Sequence, residues 1–205
     1  MDGTEQMTYR SPYEGALKKD WLKITNSLVD EHPLSKKEIA EFVLDAWEGI
    51  FTSSIGRHKL KIGEHIFPKP QVIGELLHEL IPAEMIAVYP DQWRREQMTD
   101  EKDIVNLKDD KYSVELKTSS NPNQIFGNRS YAQAPSSQKK SKNGYYLTVN
   151  FEKFDEDNKR PKINKVGFGW IEHLDWIGQA SQTGQQARLA PETYELKILN
   201  LYLKK

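Results

Sequence analysis

The chain has no cysteine among its 205 residues, which excludes disulfide bonds and thiolate metal sites. Its five histidines lack the close spacing of metal-ligand pairs, and each is typical of a surface or hydrogen-bonded histidine. A phosphate-cradling P-loop and a dinucleotide glycine fingerprint are also absent from the sequence. These absences argue against thiol chemistry, a histidine-bound zinc ion and hydrolysis driven by a nucleotide.

Charge of either sign is not in excess, since 29 Lys and Arg residues face 30 Asp and Glu residues. Binding to nucleic acid must therefore be argued from the local distribution of charge. No apolar run approaches the roughly 18 residues of a membrane-spanning helix, and no signal-peptide pattern occurs. We expect a cytoplasmic protein without membrane contact. We also expect a single domain over residues 1–205, mainly helical to about residue 98 and sheet-rich from about residue 99.

Three segments of the N-terminal half show the periodicity of amphipathic helices. The first covers residues 13–29, and the second opens at the capping-box pattern of residues 35–38. The third begins near Pro70 and should be interrupted by Pro82. Its expected buried stripe consists of Val72, Ile73, Leu76, Leu77 and Leu80, and the buried face of the second helix consists of Ile39, Phe42, Val43, Ala46, Trp47 and Ile50.

Two apolar segments, 104–107 and 112–114, flank the turn-like residues 108–111 and predict a β-hairpin. Asp103 precedes the first segment, and Glu115-Leu116-Lys117 continues the second. Two carboxylates and a lysine could therefore converge at one edge of the hairpin. Such a cluster can hold Mg²⁺, while the lysine activates water or stabilises charge on a phosphate, which is the chemistry of phosphodiester hydrolysis.

This convergence sets a condition on the register of the hairpin. Side chains alternate between faces along a strand, so Asp103 and Glu115 share a face only if opposite positions have numbers with an even total, such as 218. The turn must then contain an odd number of residues, unless a bulge corrects the register. Under that pairing Val105, Ser113 and Lys117 share the catalytic face, and Ile104, Val114 and Leu116 point into the opposite layer.

A second E-x-K sequence, residues 195–197, lies in a strand-like apolar run. No comparable Asp-bearing strand precedes it, and a charged residue on the solvent face of a strand is ordinary. The sequence therefore favours the first copy as the catalytic one.

The segment that follows Lys117 is polar and locally positive, because residues 118–151 contain no Asp or Glu. Asn, Gln and Arg can pair with purine edges, and Ser, Thr and Lys suit phosphate oxygens. The expected DNA contacts are Ser119, Asn121, Asn123, Gln124, Asn128, Arg129, Ser130, Tyr131, Gln133, Ser137, Lys139 and Lys140. A plain polar surface loop is the alternative, because Asn, Ser, Pro and Gly form turns irrespective of any ligand.

The remaining segments complete an α/β class, with a central mixed β-sheet flanked by helices and containing the catalytic antiparallel hairpin. Residues 145–151 are rich in β-formers and predict a central strand. Further strands are expected at 163–171 and 194–203, with a short helix at 172–180. For the polar residues 181–188 a plain loop is favoured over a DNA contact.

The sequences ELKTSSNPNQIFGNRSYAQ, at 115–133, and GYYLTVNF, at 144–151, resemble type II restriction endonucleases of the PD-(D/E)xK superfamily, most closely the ScaI family. The resemblance implies a homodimer that cuts both strands of a short DNA palindrome with Mg²⁺, for which Mn²⁺ can substitute. It implies that Asp103, Glu115 and the Leu116 carbonyl bind the metal and that Lys117 orients or deprotonates water. One departure is that Lys102 stands where the superfamily has Pro.

Similar restriction enzymes often place a helical Glu near the metal. Glu75 is preferred here over Glu79 as a catalytic residue that tunes the metal or holds a second one, with a solvated helix face as the alternative. A cognate DNA methyltransferase is the expected genetic partner. Two other functions remain open: a structure-selective repair or junction nuclease, and a DNA-binding regulator whose nuclease site is unused.

Overall fold

The computed structural model describes residues 10–134, 141–181 and 183–204. The α-helices in these ranges are α1 (Trp21–Glu31), α2 (Lys36–Thr52), α3 (Pro70–Val88) and α4 (Pro191–Leu196). The strands are β1 (Trp93–Arg95), β2 (Ile104–Asn106), β3 (Val114–Ser119), β4 (Phe126–Asn128), β5 (Gly144–Phe151), β6 (Ile163–Ile171), β7 (Trp176–Gly178), β8 (Gln186–Leu189) and β9 (Ile198–Leu203).

The described residues form two sheets, and these sheets with their flanking helices confirm the α/β class. The large sheet has the order β1-β2-β3-β5-β6-β9, and the small sheet has the order β4-β8-β7. Only β3 and β5 run parallel among the strand pairs of the described residues. Helices α1, α2 and α3 bury their apolar residues against one face of the large sheet, and a second apolar cluster joins the small sheet to the opposite face.

Among the described residues, no helix combines the length and apolar character needed to cross a membrane.

The hairpin of β2 and β3 has the predicted register. Ile104 lies opposite Val114, so opposite positions total 218. The connection, Leu107 to Ser113, contains an odd number of residues. Ile104, Val114 and Leu116 belong to the core against the helices, as expected. Asp103 and Glu115 therefore emerge on the face away from α2 and α3.

Helix α2 follows its sequence pattern closely. The Ser35 side chain accepts from the Glu38 backbone N–H, and the Glu38 carboxylate accepts from the Ser35 backbone N–H. This capping box satisfies donors that the first turn leaves without partners. All six residues expected on the inner face are buried. The first helix is shorter than predicted, because a 3-10 turn at Lys18–Asp20 precedes Trp21.

The prediction that Pro82 interrupts helix α3 is wrong, because the helix continues to Val88. Proline cannot donate to the carbonyl four residues earlier, which belongs to His78. Arg95 of β1 supplies the missing donor, with Nη2 lying 3.3 Å from the His78 oxygen and 2.5 Å from the Glu79 oxygen. Within the expected stripe Val72 is exposed, whereas Ile73 and Leu77 are fully buried.

The C-terminal third differs most from the sequence prediction. Residues 172–180 form a 3-10 turn and strand β7, and β8 lies in the predicted loop at 181–188. In β8, the buried Ala187 and Leu189 alternate with the exposed Gln186 and Arg188, which is the pattern of a strand with one solvent-exposed face. Pro191 opens α4, so only the second half of the predicted strand at 194–203 is extended, as β9.

Candidate active site

The β2–β3 hairpin brings together the residues that the sequence singled out. The Leu116 backbone N–H donates to Asp103 Oδ2 at 2.6 Å, which holds this carboxylate beside the catalytic strand. Lys117 Nζ lies 2.7 Å from Glu115 Oε1 and 3.0 Å from the Leu116 carbonyl oxygen. Glu115 is only 1% exposed. A buried carboxylate needs such partners, because burial of an isolated charge is costly.

The oxygen chemistry of this cluster suits a hard divalent cation. The Asp103 carboxylate accepts from the Leu116 N–H, and Lys117 Nζ joins the Glu115 carboxylate to the Leu116 carbonyl. The described residues contain no group of three or more His, Cys, Asp or Glu side chains able to hold a metal. Mg²⁺ commonly binds one or two carboxylates and completes its shell with water and substrate phosphates. The Lys117 ammonium already contacts two of the expected donor atoms, so these oxygens are arranged around a positive charge.

Tyr131 adds a contact to the catalytic carboxylate that the sequence did not reveal. It lies in a 3-10 turn, Arg129–Ala132, and its hydroxyl donates to Glu115 Oε1. Burial, followed by the charge of Glu115, raises the pKa of Tyr131, so the phenol remains a hydrogen-bond donor. Lys142 and Lys117 lie over the Tyr131 ring at 4.1 and 4.8 Å from its centroid, so two positive charges adjoin the phenol that contacts Glu115.

His78 is a second residue that sequence reasoning missed. It lines a cleft between α3 and the end of β3, together with Gly74, Glu75 and the polar residues 118–120. Burial lowers the pKa of His78, and the charges of Asp103, Lys117, Glu75 and Glu115 also act on its ring. Its spacing of three and four residues from Glu75 and Gly74 on one helix was the available signal.

Gly74 explains how α3 comes so close to the catalytic strand. A Cβ atom at this position would lie 2.9 Å from Thr118 Oγ1, which is too close for an ordinary contact. Because Gly74 has no side chain, the helix packs directly on β3 next to Lys117. The close approach sets His78 and Glu75 at the margin of the carboxylate cluster.

The two helical glutamates have different surroundings. Glu75 is exposed in the cleft beside His78. The Glu79 carboxylate accepts from Arg95, the residue that also satisfies the carbonyls beside Pro82. This engagement of Glu79 supports Glu75 as the helical acid closer to the site.

The polar segment after Lys117 is an ordered loop with its own hydrogen bonds. Ser119 Oγ accepts from the Asn121 N–H, and Asn121 Oδ1 accepts from the N–H groups of Asn123 and Gln124. Asn150 Nδ2 on β5 donates to the carbonyls of Asn121 and Gln124. These contacts fix the backbone and leave the Asn123 and Gln124 side chains exposed.

The other expected DNA contacts fall into three groups. Asn128 and Gln133 are exposed, and Ser130 is half-buried. Arg129 donates to the carbonyls of Ser181 and Gly184, so its guanidinium holds the connection between β7 and β8. Ser137, Lys139 and Lys140 lie outside the described residues.

Comparison with known proteins identifies the family of this chain. The sequence profile of the ScaI restriction endonuclease family matches residues 11–202. The chain belongs to the ScaI restriction endonuclease family. The type II restriction enzyme ScaI of Streptomyces caespitosus is 45% identical over 197 residues, which cover 95% of this chain and 86% of that enzyme. No solved structure matches. The protein is therefore a nuclease, and specifically a restriction endonuclease.

In this ScaI-family endonuclease, Lys102 has a structural contact at the position before Asp103. Its Nζ donates to the Asn143 carbonyl at 3.0 Å and lies 5.5 Å from the centre of the Tyr146 ring. The lysine is only 9% exposed. It thereby joins the start of β2 to the start of β5, on either side of the catalytic strand.

The second E-x-K sequence has no part in the carboxylate cluster of the ScaI-family enzyme. Glu195 is exposed on α4, and Lys197 is buried, with Nζ lying 3.1 Å from Glu172 and 2.9 Å from Asp175. Burial raises the pKa of Asp175, while the Lys197 charge opposes that shift. This buried ion cluster connects α4 to the turn before β7.

Proposed function

We propose that this restriction endonuclease is a homodimer that uses Mg²⁺ to cut both strands of a short palindromic DNA sequence. The observation that carries the proposal is the contact among Asp103, Glu115, Lys117 and the Leu116 backbone on one hairpin. The identity to type II restriction enzyme ScaI supports a site-specific reaction on duplex DNA.

In this proposal Asp103, Glu115 and the Leu116 carbonyl hold Mg²⁺ or Mn²⁺. The bound ion supplies charge stabilisation at the phosphate and lowers the pKa of a water molecule. Lys117, which donates a hydrogen bond to Glu115, orients the attacking water as an ammonium or, in its neutral amine form, accepts the proton of that water. Tyr131 holds the Glu115 carboxylate in place, and Glu75 adds negative charge at the cleft that tunes the metal or holds a second ion.

The surroundings of the site support a polyanionic substrate. Residues 118–151 contain no acid, and the ordered loop after Lys117 presents amide side chains at the surface. A palindrome carries two-fold symmetry, which a symmetric dimer matches with one catalytic hairpin for each strand. Because the enzyme would also cut its recognition sequence in the host's DNA, a cognate DNA methyltransferase must protect those sites. An enzyme that acts on this DNA works in the cytoplasm.

The test is incubation of the purified protein with a long duplex in Mg²⁺, Mn²⁺, Ca²⁺ or excess chelator. We expect discrete fragments in Mg²⁺ and Mn²⁺, and binding without cleavage in Ca²⁺. Sequencing of the fragment ends should return one palindrome, and sedimentation should give twice the chain mass. Activity undiminished by chelator would overturn the metal mechanism, and cuts only at nicks or junctions would indicate a structure-selective nuclease.

A further inference from the structure

The small sheet has two faces of different character. Its middle cross-strand row is Gly127, Ala187 and Gly178, and it faces inwards. A Cβ atom on Gly127 would lie 3.2 Å from the Tyr131 ring and 3.1 Å from the Trp176 ring. The small residues of this row therefore let Tyr131 pack tightly under the sheet, which positions its hydroxyl at Glu115.

The outer face presents polar side chains in the rows on either side. Asn128 lies opposite Gln186, and Phe126 lies opposite Arg188, whose other neighbour is Ile177. Asn128, Gln186 and Arg188 are exposed. Within the described ranges, none of these three side chains makes a hydrogen bond or ion pair. Exposed polar side chains that a sheet holds in fixed positions, and that are not engaged within the described residues, are suited to binding a ligand.

The charge of the outer face matches DNA. Strands β4, β7 and β8 contain no Asp or Glu, and Arg188 contributes a positive charge at their centre. Glutamine and asparagine can form paired hydrogen bonds with adenine, and arginine can do so with guanine. The major groove is wide enough to admit a β-ribbon.

The spacing of the two central side chains also matches a duplex. Gln186 and Arg188 are two residues apart on β8, which corresponds to about 6.8 Å along an antiparallel strand. Base pairs repeat every 3.4 Å or so along the helix axis. Two residues on one face of β8 therefore span about two base-pair steps.

We infer that the outer face of the small sheet, formed by Asn128, Gln186 and Arg188, reads base edges in the major groove. This inference rests on the function proposed above and assigns its specificity to Gln186 and Arg188, in the segment where the sequence favoured a plain loop. The inner face of the same sheet holds Tyr131 against Glu115, so base reading and catalysis share one rigid support.

The experiment compares wild type with Gln186→Ala, Arg188→Ala and Arg188→Lys on a random duplex pool in Mg²⁺, with sequencing of the cut ends. Each variant should reduce the preference for the wild-type sequence at one or two base pairs by roughly tenfold to hundredfold. Arg188→Lys keeps the positive charge but loses the guanidinium that can donate two parallel hydrogen bonds to one base. This variant should therefore lose sequence preference in cleavage, while its affinity for random duplex in Ca²⁺ stays near the wild-type value.

Arg160→Ala is the matched control, because Arg160 is an exposed arginine that pairs with Glu48 of α2 in the helical layer. It should leave the preference unchanged. Unchanged preference in all three outer-face variants, with correct folding by circular dichroism, would overturn the inference while the proposed function stands. Equal loss of affinity for preferred and random duplex would also overturn the inference, because it would show that this face contacts only the DNA backbone. A wild type without site-specific cleavage would instead refute the proposed function itself.

Discussion

Tyr131 donates its phenolic hydrogen to the carboxylate of Glu115, sixteen residues earlier in the chain. Glu115 lies in the middle of the large sheet, and Tyr131 is packed under the small one. The hydrogen bond therefore links the strand that carries the catalytic acid to the segment that we infer contacts DNA. Both groups are buried, so water does not compete for the bond.

Tyr131→Phe should lower the single-turnover cleavage rate by roughly tenfold or more, because a hydrogen bond to a charged group is worth about 1.5–3 kcal/mol. Tyr89→Phe is the matched control, since Tyr89 also donates to a carboxylate, that of Glu38, but in the helical layer. Its cleavage rate should stay at the wild-type value. Equal rates for Tyr131→Phe and wild type would show that the phenol does not position Glu115.

Asp103→Ala, Glu115→Ala and Lys117→Ala should each reduce cleavage by more than about a hundredfold, as expected for charged groups at the reacting phosphate. Glu195→Ala is the control from the second E-x-K sequence, because that glutamate is exposed on α4. The readout is the rate of duplex cleavage beside a circular dichroism spectrum. A damaging Glu195→Ala would assign catalysis to the second E-x-K sequence.

Asn128→Ala and Arg129→Ala should both weaken discrimination at particular base pairs by roughly 1–3 kcal/mol. Only Arg129→Ala should also lower the melting temperature, since its guanidinium binds two carbonyls of the β7–β8 connection. Binding in Ca²⁺ to preferred and random duplexes, together with thermal melting, separates the two effects. Equal losses on both duplexes would restrict this segment to backbone contacts.

A pH-dependent loss of stability should come from His32. Its Nδ1 accepts from the Leu34 N–H, so Nε2 carries the proton and faces the Tyr112 carbonyl. Burial lowers the pKa of His32 from 6.5 to about 4. As the pH falls, the unfolded chain binds the proton before the folded one does, so the free energy of unfolding should drop between pH 6.5 and 4 by roughly 3 kcal/mol.

The measurement for His32 is urea unfolding at pH 7 and pH 5. His32→Gln keeps an amide donor and acceptor but cannot titrate, so its stability should change less over this interval than that of the wild type. The same pH dependence in both proteins would assign it to other groups.

The catalytic hairpin was predictable because its information is local. Strand alternation and the odd turn between Asn106 and Val114 determine which side chains share a face, and the structure has that register. The capping box at Ser35 is equally local. The contact between Tyr131 and Glu115 depends instead on how two sheets pack, and no sequence spacing encodes it.

The errors have the same physical origin. Pro82 would interrupt an isolated helix, but Arg95 from β1 donates to the carbonyl that it leaves without a partner. Strand β8 is short and polar on one side, so it is stable only between β4 and β7. In each case, contacts with residues distant in sequence override the local conformational preference. His78 was missed because its relation to Asp103 is made by the close approach of α3 to β3.

The parallel pairing of β3 and β5 has a consequence for how such an enzyme can diversify. Antiparallel neighbours can be joined by a tight turn, but the chain leaving Ser119 must travel back along the sheet before Gly144 begins β5. The described part of this return path includes β4 and Tyr131, which lie outside the large sheet. Insertions and replacements along it leave the pairing of β3 with β5 in register. The fold therefore lets much of this segment change in length and sequence while the catalytic strand keeps its place, and Tyr131 is the position that must be kept.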